Sequence, residues 1–79
     1  MTQYFFHLCD GHDELIDAEG QNLADASQVS AHALKEARAL IAQEALSGRI
    51  MLDQYIEVRD QAGELVHRLA FRDAVQIIG

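Results

Sequence analysis

Between Asp25 and Gly48 the chain runs without a proline or a glycine, and its apolar residues recur at steps of three and four. Ala26, Val29, Ala33, Ala37, Leu40 and Ile41 fall on one stripe at the 3.6-residue period, with Leu34 flanking it. Gln28, His32, Lys35, Arg38 and Gln43 lie mostly away from that stripe. Asp25 has the chemistry of an N-cap, and Gln28 three residues on completes a capping-box pattern. Gly48 is placed as a C′ residue that can take a positive φ. A helix is therefore expected over residues 26–47. At 1.5 Å per residue it is ~33 Å long, enough to cross a small sheet completely.

The segments on either side read as strands. Tyr4, Phe6 and Leu8 alternate with Phe5, His7 and Cys9, and Asp10-Gly11-His12-Asp13 supplies turn chemistry before Leu15 and Ile16 resume an extended run. Residues 3–17 are thus expected to form a β-hairpin. A polar stretch, Asp17-Ala18-Glu19-Gly20-Gln21-Asn22, follows as a loop that Leu23 anchors to the core. Beyond the helix, Ile56 and Val58 face one way and Glu57 and Arg59 the other. After a turn at Asp60-Gln61-Ala62-Gly63, Leu65, His67, Leu69 and Phe71 alternate against Val66, Arg68 and Ala70. Residues 8–16 and 58–66 also echo one another, with Asp, Glu and Leu at matching places. Acidic-turn hairpins share this pattern without a duplication. The tail, with Val75, Ile77 and Ile78, adds a short strand or packs as irregular chain. The expected fold is α+β over residues 1–79 as a single domain: an antiparallel sheet of about four strands in two hairpins, order ββαββ, with one long helix on one face.

Charge and cysteine usage exclude several functions. The 79 residues carry 6 Lys plus Arg against 13 Asp plus Glu, a formal charge of −7. Phosphate contacts need clustered cations, so nucleic acid is not the expected partner. The single cysteine, Cys9, cannot form an intramolecular disulfide, which argues against a stapled secreted scaffold. The opening residues lack a basic n-region and a long apolar core, and no apolar run is long enough to span a bilayer. A cytoplasmic location, no membrane partner and a reduced Cys9 are expected. The core of so short a chain is marginal, so a second copy would help it.

Tyr4-Phe5-Phe6-His7-Leu8 before Asp10-Gly11, then Asp17-x-Glu19-Gly20, Leu23 and Asp25-Ala26, resembles a family of short bacterial proteins of unknown function, common in alphaproteobacteria. Ala33 and Ala37, Val58-x-Asp60-x-x-Gly63 and Phe71-Arg72-Asp73-Ala74-Val75 continue the resemblance over nearly the whole chain. It implies a stand-alone cytoplasmic protein and no particular activity. Cys9 stands where such chains more often carry a basic residue.

Four candidate sites follow from residue chemistry. His7, Cys9 and His12 form the densest polar cluster, with Asp10 and Asp13 beside them. Imidazole and thiolate together suit Zn²⁺ or a similar ion, but the spacing matches no standard zinc motif, and both aspartates are accounted for as turn formers. A nucleophilic Cys9 would need a nearby cation or a paired His7. The acidic run Asp13, Glu14, Asp17, Glu19 and Asp25 lacks the spacing of a calcium loop and reads as a solvated face that can meet a basic partner. Glu44 lies on the apolar stripe near the helix C-terminus and is expected to be wet where the stripe leaves the core. Along the same helix Ala31, Ala39, Ala42 and Ala45 allow close approach of another helix, though helix propensity alone explains them.

Three functions remain, in order. The first is a non-enzymatic interaction module that binds a protein partner or itself as a homodimer, with no cofactor. The second is a metal-binding or redox module on His7, Cys9 and His12. The third is a small enzyme.

Overall fold

The computed structural model describes all 79 residues, Met1–Gly79. The chain folds as α+β: a five-stranded antiparallel sheet with one long helix packed against it. The strands are β1 (Thr2–Cys9), β2 (Glu14–Leu15), β3 (Gln21–Leu23), β4 (Tyr55–Arg59) and β5 (Leu65–Ala70). The helix α1 spans Ser27–Leu46, and a 3₁₀ turn covers Phe71–Asp73. The main sheet runs in the order β2-β1-β4-β5, and β3 also pairs with β1. No helix is long and apolar enough to cross a membrane.

The fifth strand corrects the expected loop. Gln21, Asn22 and Leu23 pair with Tyr4, Gln3 and Thr2, while Glu14 and Leu15 pair with Cys9 and Leu8. One edge of β1 is thus covered in two pieces, and Asp17 fills the gap between them. Its Oδ2 accepts the Phe6 N–H at 3.1 Å, its Oδ1 accepts the Gly20 N–H at 3.1 Å, and its own N–H donates to His7 Nδ1 at 3.0 Å. Gly20 is required there for two reasons. Its φ is +73°, and a Cβ would sit 2.9 Å from the Tyr4 carbonyl oxygen. Leu23 is buried as expected, but on a strand.

Both helix ends follow their sequence signals with small shifts. Asp25 Oδ1 accepts the Ser27 N–H at 2.9 Å and the Ser27 hydroxyl, while Gln28 Oε1 reaches back to the Ala24 N–H at 2.9 Å. Gly48 has φ +85°. Its N–H donates to the Ala45 carbonyl at 3.0 Å, and the Arg49 N–H donates to Glu44 at 3.2 Å, a Schellman arrangement.

The core lies between α1 and the sheet. Val29, Ala33, Ala37 and Ile41 meet Tyr4, Phe6, Leu23, Ile56 and Val58, with Phe71 and Ala74 closing the far end. Ala26 is exposed and Leu40 half-buried, so the working stripe is narrower than its sequence pattern. Phe71 is fully buried on the 3₁₀ turn, where its N–H donates to the Gln54 carbonyl at 2.9 Å. The tail is therefore turn and irregular chain, held by Arg38 Nε donating to the Ala74 carbonyl at 2.8 Å. The two hairpin turns share one device: Asp10 Oδ1 accepts the N–H groups of His12 and Asp13, and Asp60 Oδ1 those of Ala62 and Glu64. Their positive-φ glycines, Gly11 and Gly63, sit at different turn positions.

Glu44 is not wet. Its Oε1 accepts the Met51 N–H at 3.0 Å, and its Oε2 accepts from Gln54 Nε2 at 2.6 Å. Gln54 is 7% exposed, so this carboxylate satisfies a buried amide and fixes the return from helix to β4. Glu44→Ala leaves that amide short of a partner and is expected to cost roughly 1–3 kcal/mol, with Glu44→Gln costing less. Urea denaturation of both variants checks this; equal, small losses would mean Glu44 is dispensable.

Candidate functional site

Strand alternation sends His7 and Cys9 to the sheet face opposite the helix, together with Phe5, Tyr55, Glu57 and Arg68. The register then decides their neighbours. Cys9 lies between Glu14 on β2 and Tyr55 on β4, and His7 is opposite Glu57. The Cys9 Sγ and a carboxylate oxygen from each of Glu14 and Glu57 all lie within 4.8 Å of one another. Neither histidine belongs to that group. His7 is 9% exposed, stacks at 6.4 Å on Phe5, and uses Nδ1 to accept the Asp17 N–H. That bond leaves the ring proton on Nε2 when the imidazole is neutral. His12 stands on the exposed Asp10 turn and shares a shallow cleft of about 230 Å³ with Cys9, Glu14, Tyr55 and Glu57.

The electrostatics of this cluster favour a protonated thiol. Burial, then the charges of Glu57 and Glu14, push the Cys9 pKa up, against a smaller opposing effect from Arg68. Cys9 is 5% exposed, and its Sγ–H is directed at the His7 carbonyl at 3.9 Å. Glu57 is also 3.4 Å from Arg59, and Arg68 stacks over the Tyr55 ring at 4.0 Å. A raised thiol pKa works against nucleophilic attack and soft-metal ligation alike, because both need the thiolate.

A second candidate surface lies on the helix side. The helix packs chiefly on β4, β5 and the 3₁₀ turn and covers Tyr4 and Phe6 of β1, while the Leu8–Leu15 end of that face is left open. Leu15 pairs with Leu8 and therefore shares its face. Phe6, Leu8, Leu15, Ile16, Leu40 and Ile56 line an open groove of about 340 Å³ there, with Asp17 and Glu36 at its rim. Leu15 is 70% and Ile16 58% exposed. A more polar crevice of about 370 Å³ continues from it, and both are bordered by Phe6, Ile16, Asp17 and Glu36. His32, assigned by periodicity to the solvated flank, is instead packed on the Phe6 ring, centroids 4.6 Å apart. Its Nε2 lies 3.8 Å from Glu36 Oε2, which is shut off from solvent and has no hydrogen-bond donor.

Glu36 and the groove were not marked by sequence patterning. The available signal was the i, i+4, i+8 line His32-Glu36-Leu40, which meets the main stripe at Leu40, together with the consecutive apolar pair Leu15-Ile16. Burial raises the Glu36 pKa and nearby Asp17 adds to the rise, with His32 opposing them. A carboxyl whose folded pKa is raised adds stability at low pH, and that stability is lost as pH rises through the raised value. Glu36→Gln is therefore expected to raise Tm at pH 7, with the gap to the parent closing below about pH 4. Thermal melts across pH check the sign; a parent more stable than the variant at pH 7 refutes it. In the folded protein Cys9 is expected to react with a thiol reagent more than ~10-fold slower than in urea. Equal rates would place the thiol at the surface.

No curated protein and no solved structure matches the chain. A match to the family described as Domain of unknown function (DUF6894) extends over residues 3–72, from β1 into the 3₁₀ turn. It takes in Asp17, the whole helix and both candidate surfaces, and the chain belongs to that family.

Proposed function

We propose that this domain is a non-enzymatic protein-interaction module of the bacterial cytoplasm, docking a protein partner in the groove between the α1 flank and β2. The observation that carries the reading is the exposure of Leu15 and Ile16, at 70% and 58%, beside Leu8, Leu40 and Ile56 in one open groove. Scattered exposed apolar residues are ordinary, whereas contiguous ones lining a concave surface mark an interaction site. Covering an aliphatic side chain of this size contributes about 1.5–3 kcal/mol, so Leu15 and Ile16 anchor a contact to which Leu8, Leu40 and Ile56 add. The buried, protonated Cys9 fits a reducing compartment and a structural thiol. β5, which pairs only with β4, offers self-association a separate edge.

The metal or redox reading rests on the approach of Cys9, Glu14 and Glu57 within 4.8 Å. Native mass spectra before and after a chelator address it directly: a chelator-sensitive increment would move that reading to first place.

A photo-crosslinking residue at position 15, compared in cells with one at Gln43 on the exposed side of the helix, tests the docking surface. One discrete adduct is expected at position 15 alone. Its purified partner should lose about tenfold or more in affinity for Ile16→Ser, equivalent to about 1.4 kcal/mol. Matching adducts at the two positions, or unchanged affinity, would overturn the reading.

A further inference from the structure

The apolar groove and the polar crevice meet along Phe6, Ile16, Asp17 and Glu36, so a ligand in one touches the border of the other. The residues lining the two include Asp17, Glu19 and Glu36 and neither Lys nor Arg. These carboxylates are not equivalent. Both oxygens of Asp17 are already engaged, by the Phe6 and Gly20 N–H groups. Glu36 has no such donors: its Oε2 lacks a hydrogen bond, and the nearest basic atom, His32 Nε2, is 3.8 Å away. That oxygen is closed to solvent, so a ligand meets the carboxyl through the rest of the side chain, which is 45% accessible as a whole. An anion with weak local compensation, at the mouth of an aliphatic groove on a chain of charge −7, gains most from a cation brought by the ligand.

We infer that the groove takes a peptide segment in which a Lys or Arg adjoins aliphatic residues, the cation meeting Glu36 and the aliphatic side chains covering Leu8, Leu15, Ile16 and Leu40. The inference rests on the docking surface proposed above and adds the chemistry of the partner. A purely apolar segment would leave Glu36 further desolvated and still without a donor. An acidic segment would set like charge against Asp17, Glu19 and Glu36. Arg suits the position best, since its planar fork can hold a carboxylate while its stem lies along apolar surface.

The test is selection from a phage-displayed random peptide library on three immobilised proteins: the parent, Glu36→Gln and Leu15→Ser. Both substituted residues have accessible side chains, and thermal melts confirm that the variants fold. Parent-selected peptides are expected to carry a Lys or Arg at fixed spacing from two aliphatic residues. On Glu36→Gln the aliphatic preference should persist and the cation preference disappear, with a synthetic parent-selected peptide binding at least ~10-fold more weakly. Aliphatic peptides without a cation, or a cation preference unchanged on Glu36→Gln, would overturn the inference and leave the docking surface standing. Peptides that bind Leu15→Ser as well as the parent would overturn both. Sedimentation showing a dimer that Leu15→Ser dissolves would assign the groove to a second copy and reject the basic peptide.

Discussion

One carboxylate sets the shape of the N-terminal half. Asp17 accepts the Phe6 N–H that the interrupted edge of β1 would otherwise leave open, and it accepts the Gly20 N–H to turn the chain back as β3. Its own N–H holds the His7 ring. Without that plug the two short strands on this edge have no common anchor. A two-residue β2 and a three-residue β3 contribute little by ladder bonds alone. The groove depends on the same arrangement, because Ile16 and Leu15 are carried into place by the segment that ends at Asp17.

The helix supplies the other wall. Ala33 and Ala37, both fully buried, let its backbone approach the sheet closely, in the cluster that also holds Val58 and Phe71. Larger residues at those places would lift it. Because it leans toward β4, β5 and the 3₁₀ turn, the sheet face near Leu8 and Leu15 is left open. Leu40, at the edge of the stripe, is half-buried for that reason. The groove is thus the direct result of a helix set to one side of a sheet wider than itself.

What sequence patterning revealed was local. The helix and its ends were legible because an apolar stripe, Asp25, Gln28 and Gly48 act within a turn or two of one another. The two hairpins were legible from alternation and from Asp10 and Asp60. The strand Gln21–Leu23 was hidden, since three residues with one apolar member show no period and its partner is an edge some twenty residues back. Glu44 looked exposed because its reason for being there, Gln54, lies beyond a connector. The candidate ligand cluster was half legible. Alternation correctly set His7 and Cys9 on one face, but register brings Glu14 and Glu57 to the thiol, and register is a long-range property.

The position of β1 and β4 at the centre of the sheet has a kinetic consequence. Phe5 pairs with Arg59 and Cys9 with Tyr55, so the central ladder joins segments separated by more than half the chain. Each hairpin can form by itself in a local search, but joining them must close a loop that contains the entire helix. A helix formed early shortens that loop from a flexible chain to a rigid rod and carries its ends toward the two strands. Joining the two local units across the helix is therefore the step with the largest loop-closure cost in this topology, a cost that a simple meander does not carry.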